Sequence, residues 1–428
     1  MTSDRVRVAT RDAGGHTVVD LTNGRLCLVL APQLGGRLLS VRCDGREFLH
    51  RSPELLDEEC GARDASTVGP HDGRMADWRN WGGDKTWPAP QGWSGPEQWA
   101  GPPDPVLDSG PYRVQTETDP AGEHVRATLT SAPDPRTGLQ LRREVTLRAG
   151  ATSYGLRLSA TNTADHPVRW ALWNVAQLPG HPPAQEGDGV WVGLAGEPGP
   201  AVRELVAGTG VPQVRTAAGA PAHVPAQDVV GKVGFPTAAG WVAHVGPAGT
   251  WVHRFPVTPG AAYPDGGSRA EIWLEHPLDE PLAHLGDLRP THRIVECEVL
   301  GPLVTLDPGR TMELDTTVLL GPHGGAVADA GAFGWWNRPL TAERTPDGGV
   351  RLGGSFVPCT ATGEEVVVRT GAGGTGRAHR TGVPVRAGEA VDLASLPPLA
   401  AVPAGTTLAV LLGPEADVPC MGRATVPD

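Results

Sequence analysis

The chain lacks the features that would place it in several large functional classes. None of its 428 residues falls in an uninterrupted apolar run approaching 18, so no segment reads as a membrane-spanning helix. The first twelve residues are charged and have no apolar core, which reads as no secretory signal and points to the cytoplasm. Lys and Arg total 36 against 48 Asp and Glu, a net charge of −12. So acidic a chain is short of the basic surface that nucleic acid or an anionic membrane demands. Cysteine is sparse. Cys27, Cys43, Cys60, Cys297, Cys359 and Cys420 are scattered with no C-x-x-C pair, as expected of buried reduced thiols rather than a zinc site. Cys359 and Cys420 could meet within one unit. There is no G-x-S-x-G, no G-x-x-x-x-G-K-[ST] and no H-E-x-x-H. The glycines of residues 370–376 follow a strand-like run but precede no helical pattern, which excludes a dinucleotide loop. Neither a cofactor nor a metal is expected.

A sustained 3.6-residue period is also missing, so helix is minor. In its place stand 58 Gly and 43 Pro, both poor in helix interiors. They make up about a quarter of the chain, near the level seen in disorder. Hydrophobic residues at 39% and recurrent alternating runs argue instead for many short strands and tight turns. The expected fold is all-β, a sandwich or barrel, with one large unit over residues 1–322 and a small β-sandwich over 335–428. Strands are expected at 112–116, 124–131, 139–147, 153–162, 168–177, 240–245, 250–255, 269–276, 292–304 and 311–320. Residues 61–111 read as one long ordered loop and 178–221 as a Pro/Gly-rich passage.

Thirteen Trp beside 3 Tyr and 5 Phe is an unusual balance. Indoles stack on flat apolar surfaces and keep one N–H donor, which suits a sugar ring. Five lie in the long loop, at Trp78, Trp81, Trp87, Trp93 and Trp99. Residues 80–91 read N-W-G-G-D-K-T-W-P-A-P-Q. Trp81 and Trp87 there flank a glycine pair and the Asp84–Lys85 neighbours, giving stacking faces, an acceptor and a donor for a polyhydroxylated ligand. A structural loop whose Trp residues fill core space is the plain alternative.

On the run 268–276, alternation puts Ala270, Ile272 and Leu274 on one face and Glu271, Trp273 and Glu275 on the other. An apolar face backing two carboxylates and an indole is what a ligand-binding sheet presents; an ordinary solvent face is the alternative. On 168–177 both faces are partly apolar, with Asn174 and Gln177 as buried polar groups needing partners. Tyr263 and Asp265 sit in the loop just before the glutamate strand. His71 lies nearest the Trp-rich segment and is the candidate acid to a Glu271 base. Lys232 is a weaker candidate, since single lysines mostly solvate a surface.

Residues 80–91 resemble the signature of a little-characterised bacterial group of galactose-mutarotase-like proteins. Gly35-Gly36-Arg37, 45–49, 158–162 with 167–177, 263–267, 270–273 and 298–309 are similar to the same fold, so the resemblance covers roughly residues 18–322. It implies a galactose-mutarotase-like supersandwich of antiparallel sheets over residues 1–322 with a concave sugar-binding face, and Glu271 or Glu275 matching the catalytic glutamate of aldose epimerases. Arg37, Asp84 and Lys85 would position hydroxyls, with Trp81, Trp87, Asn174, Asp265, Trp273 and Glu275 completing the binding set. The strand on which epimerases carry a catalytic histidine has none here, over 170–177. The expectation is therefore a small-molecule carbohydrate ligand, with epimerase-like catalysis on a free sugar or sugar derivative as one form of it. A non-catalytic sugar sensor is the alternative, as is a lyase or hydrolase using Glu271 and Glu275 on an oligosaccharide.

Overall fold

The computed structural model describes residues 5–92, 98–182, 187–197, 199–360, 365–371, 376–400, 402–413 and 419–427. Strand accounts for 48% of it and helix for 4%, so the fold is all-β, as the glycine, proline and alternation content requires.

Two large antiparallel sheets stack face to face. The first runs Arg7–Asp12, Thr17–Thr22, Leu26–Ala31, Arg37–Cys43, Asp84–Ala89, Val168–Pro179, Ile294–Leu300, Ala270–Glu275, Gly231–Phe235 and Arg203–Ala207. The second runs Ala222–Pro225, Gly189–Leu194, Ala238–Gly246, Gly249–Arg254, Thr311–Gly321, Ser153–Asn162, Leu139–Arg148, His124–Thr130 and Arg113–Thr118. Alternation decides which side chains fill the space between them. Leu156, Leu158 and Ala160 point inward and are buried, while Arg157 faces water. Across the gap Leu28, Leu30, Leu38, Leu172 and Ala176 complete the core. Truncating one such leucine to alanine costs about 2–5 kcal/mol. Two further four-stranded sheets follow between Asp329 and Thr425. Trp335, Val357 and Cys359 of that portion pack on Trp241, Val245 and Leu319 of the second large sheet.

Two expectations require correction. Residues 61–111 are not one loop: Asp84–Ala89 is a strand in the middle of the first sheet, paired with Val168–Pro179. Pro88 lies in its interior, opposite Leu172, where a missing N–H ordinarily argues against a central strand. Residues 178–221 likewise contain the strands Gly189–Leu194 and Arg203–Ala207, the latter at a sheet edge. All six cysteines are free, Cys359 and Cys420 included.

The glycine pair before the central strand is needed for contact. Gly82 and Gly83 have φ of 85° and 79°. A Cβ would lie 2.3 Å from the His50 carbonyl oxygen at Gly82 and 2.5 Å from that of Leu38 at Gly83. Only glycine lets the chain enter the sheet this closely.

Candidate functional site

On the side of the first sheet away from the core lies a cavity of about 840 Å³. Its wall is made by alternate residues of neighbouring strands. Trp87 pairs with Trp173, Lys232 with Trp273, and Trp273 with Glu296, while Glu271 faces Glu298. Its rim comes from residues 73–78, 91–92, 205–206 and 284–288. Two rim segments meet where Gly286 abuts Met75; a Cβ at Gly286 would lie 3.1 Å from that of Met75.

Among the described residues four indoles face this space, those of Trp78, Trp87, Trp173 and Trp273. Trp87 is central, its ring 5.4 Å from that of Trp173 and 6.2 Å from that of Trp78. Trp99 backs it at 5.0 Å and donates from Nε1 to Asp104 Oδ2 at 2.9 Å.

At one end of the wall Lys232 Nζ lies 2.5 Å from Glu271 Oε2 and 2.8 Å from Glu298 Oε2. The same Glu298 oxygen accepts from Trp173 Nε1 at 2.6 Å, and the ammonium sits 4.6 Å from the Trp173 ring centre. Both glutamates are wholly buried. Burial pushes the Glu298 carboxyl up to about 8 even though Lys232 opposes it. Burial raises Glu271 as well, again against Lys232. Burial alone would depress the Lys232 ammonium, but the two glutamates outweigh it and hold it above its ordinary value. One lysine thus serves two carboxyls, and at neutral pH the pair retains a proton. Asp265 closes this end. Its carboxyl is raised by burial, and its backbone has φ 51° and ψ 50°, a left-handed conformation uncommon outside glycine.

At the other end Trp273 Nε1 donates to Glu275 Oε1 at 2.8 Å. Burial, then the neighbouring Glu296, pushes the Glu275 carboxyl up to about 7. Glu296 Oε1 accepts from Gln177 Nε2 at 2.6 Å and lies 3.6 Å from Lys85 Nζ. Lys85 is 1% exposed, its ammonium 4.9 Å from the Trp87 ring centre and without a hydrogen-bond acceptor. Burial lowers its pKa, Glu296 acting against it.

Of the residues expected from sequence, Trp87, Asp265, Glu271, Trp273 and Glu275 come together around this cavity. Lys85 stands directly behind it. The others lie elsewhere. Asp84 and Asn174 project to the opposite face of the sheet, since strand neighbours alternate. There Asp84 pairs with Arg143 of the second sheet and accepts from Asn174 Nδ2 at 2.8 Å, while Thr86 donates to Asn174 at 3.0 Å. Asp84, Glu271 and Asp265 therefore do not converge. Among the described residues no group of three or more His, Cys, Asp and Glu is arranged to hold a metal ion.

Arg37 is fully buried, donating to the carbonyls of Leu34, Gly82 and Asp108 and to Asp108 Oδ1. It reaches the cavity only indirectly, because Asp108 Oδ2 accepts from Trp78 Nε1 at 2.9 Å and so sets that indole. Trp81 fills a small core with Leu34, Leu39 and Leu56. His71 is outside the cavity lining, its Nε2 2.8 Å from the Asp77 carbonyl oxygen. Trp93 lies outside the described residues. Sequence reasoning undervalued Lys232 and passed over Glu296, Glu298, Trp78 and Trp173 as site residues. A signal for the glutamates was present: in Ile294–Leu300 they alternate with Val295, Cys297 and Val299, the same pattern that singled out Glu271 and Glu275.

The sequence matches the family described as "Domain of unknown function (DUF4380)" over residues 17–319. The chain belongs to this family. Among curated proteins none matches it. Among solved structures it is similar to a TPR-domain-containing protein from Parabacteroides distasonis, at 15% identity and TM-score 0.48. That similarity covers 71% of this chain and 47% of the other, so the chain spans about half of that protein. It is similar to a candidate mutarotase from Salmonella typhimurium at 12% identity and TM-score 0.45, over 73% and 92% of the two chains. A galactose mutarotase-like protein from Lactobacillus casei gives 13% identity and TM-score 0.43, over 71% and 99%.

Proposed function

We propose that this DUF4380 member binds a small carbohydrate in the cavity on its first sheet. The observation that carries the reading is the wall itself: four indoles interleaved with carboxyls and lysines in a space of about 840 Å³. Indole faces remove the apolar C–H faces of a sugar ring from water, and fixed polar groups beside them select its hydroxyls. A pocket for a purely apolar ligand would not set four glutamates and two lysines along one wall. The test is a thermal-shift screen of the protein with monosaccharides, sugar phosphates and short oligosaccharides. A rise of a few degrees for one sugar class is expected, since a ligand that binds only the folded state stabilises it. No shift with any sugar, nor in direct titration, overturns the reading.

Proton transfer in the manner of an aldose epimerase is a second reading, favoured by Glu271, whose carboxyl is raised by burial against the pull of Lys232. Anomer exchange followed by NMR should then fall at least a hundredfold in Glu271→Gln. His71 is not positioned to be the acid, and Glu275 lies too far along the strand to serve the same anomeric centre as Glu271. The two glutamates are four residues apart on one strand, roughly 13 Å along it. That exceeds the separation used by glycosidases, which sets aside hydrolysis by this pair.

A further inference from the structure

Twice on this wall the chain lays a lysine ammonium over an indole with a carboxylate beside it. Lys232 lies over Trp173 against Glu271 and Glu298, and Lys85 lies over Trp87 with Glu296 at 3.6 Å. The ring quadrupole attracts the cation and the carboxylate supplies its countercharge. An indole and carboxyls come together a third time, here with no ammonium over the ring and Lys85 on the far side of Glu296. Trp273 donates to Glu275 and has Glu296 as its partner across the sheet. Its ring lines the cavity, and among the described residues no lysine or arginine lies over it.

We propose that the ligand carries a protonated amino group, seated over Trp273 between Glu275 and Glu296: an amino sugar with a free amine, rather than a neutral, phosphorylated or acidic one. This rests on the carbohydrate reading above and adds the charge of the ligand. The balance of the wall points the same way. Asp265, Glu271, Glu275, Glu296 and Glu298 stand beside the ammoniums of Lys232 and Lys85, with Arg74 and Asp287 on the rim. An ammonium between Glu275 and Glu296 relieves their repulsion, which a phosphate or carboxylate would add to. Glu275, pushed up to about 7 by burial and by Glu296, is a carboxyl short of countercharge, which an arriving ammonium supplies.

The experiment is isothermal titration of the full chain at pH 7 with glucosamine, galactosamine, glucose, galactose, N-acetylglucosamine, glucose 6-phosphate and cyclohexylamine. A free amino sugar is expected to bind at least about tenfold more tightly than its neutral parent, in keeping with a desolvated cation–π contact and a carboxylate partner. N-acetylation should abolish the gain, and the phosphate should bind more weakly than glucose. Glu275→Gln, its folding checked by its melting curve, should lose the gain, while Glu275→Asp keeps part of it. Equal binding of amino and neutral sugars, or a gain that survives both Glu275→Gln and Glu296→Gln, overturns the proposal and leaves carbohydrate binding standing. Cyclohexylamine binding as tightly as glucosamine overturns the sugar part. Binding by none of the sugars overturns both.

Discussion

Replacing Lys232 with methionine keeps the length and most of the volume of the side chain and removes only its charge. In the native chain that ammonium contacts both Glu271 and Glu298, each of them buried. Burial raises both carboxyls, and one ammonium can neutralise only one of them. Without it the second carboxyl of the pair must also be protonated to stay buried, starting from an ordinary value of 4.5. Holding that proton at pH 7 costs about 3.4 kcal/mol, being 2.5 units at 1.36 kcal/mol each. At pH 5 the same step is 0.5 unit, about 0.7 kcal/mol. A carboxyl whose folded pKa is raised loses stability as pH climbs above its unfolded value. Lys232→Met should therefore be destabilised by about 3 kcal/mol at pH 7 and by less than about 1 kcal/mol at pH 5. Urea unfolding followed by tryptophan fluorescence measures both. Equal losses at the two pH values, or a larger one at pH 5, would refute the shared-proton arrangement.

Other perturbations address the scaffold. Asp84→Ala leaves Arg143 charged and unpaired between the sheets, and should cost about 3–5 kcal/mol in urea unfolding. Gly83→Ala drives a Cβ into the Leu38 carbonyl at positive φ and should lower stability by at least about 1–3 kcal/mol. Glu275, ordinarily 4.5 but near 7 here, makes stability fall as pH rises through that interval. Glu275→Gln should flatten the corresponding part of a plot of melting temperature against pH. Asp108→Asn weakens the grip on both Arg37 and Trp78, so ligand affinity should drop although Asp108 does not line the cavity.

The strands were legible because one-sided burial writes a two-residue period. The expected runs at 124–131, 139–147 and 153–162 agree with the strands within a residue, and Glu271, Trp273 and Glu275 share a face as alternation requires. The strand Asp84–Ala89 was not legible, because it is buried on both faces and carries a proline, which erases the period. Its residues consequently divide in a way composition does not show: Lys85 and Trp87 toward the cavity, Asp84 and Thr86 toward Arg143. Lys232 was undervalued for a related reason. A lysine's worth depends on its partners, and Glu271 and Glu298 lie 39 and 66 positions away in the sequence. Arg37 illustrates the converse. Its place in a motif suggested contact with a ligand, whereas it ties three segments together through their carbonyls.

The central claim is that a sugar ring sits against the indoles of the first sheet. A crystal structure of the protein soaked with the tightest-binding sugar of the panel tests it most directly. The account predicts the ring stacked in the cavity between Trp87, Trp173 and Trp273, with Glu271 or Glu275 hydrogen-bonded to its hydroxyls. A sugar bound elsewhere with this cavity left untouched would contradict it.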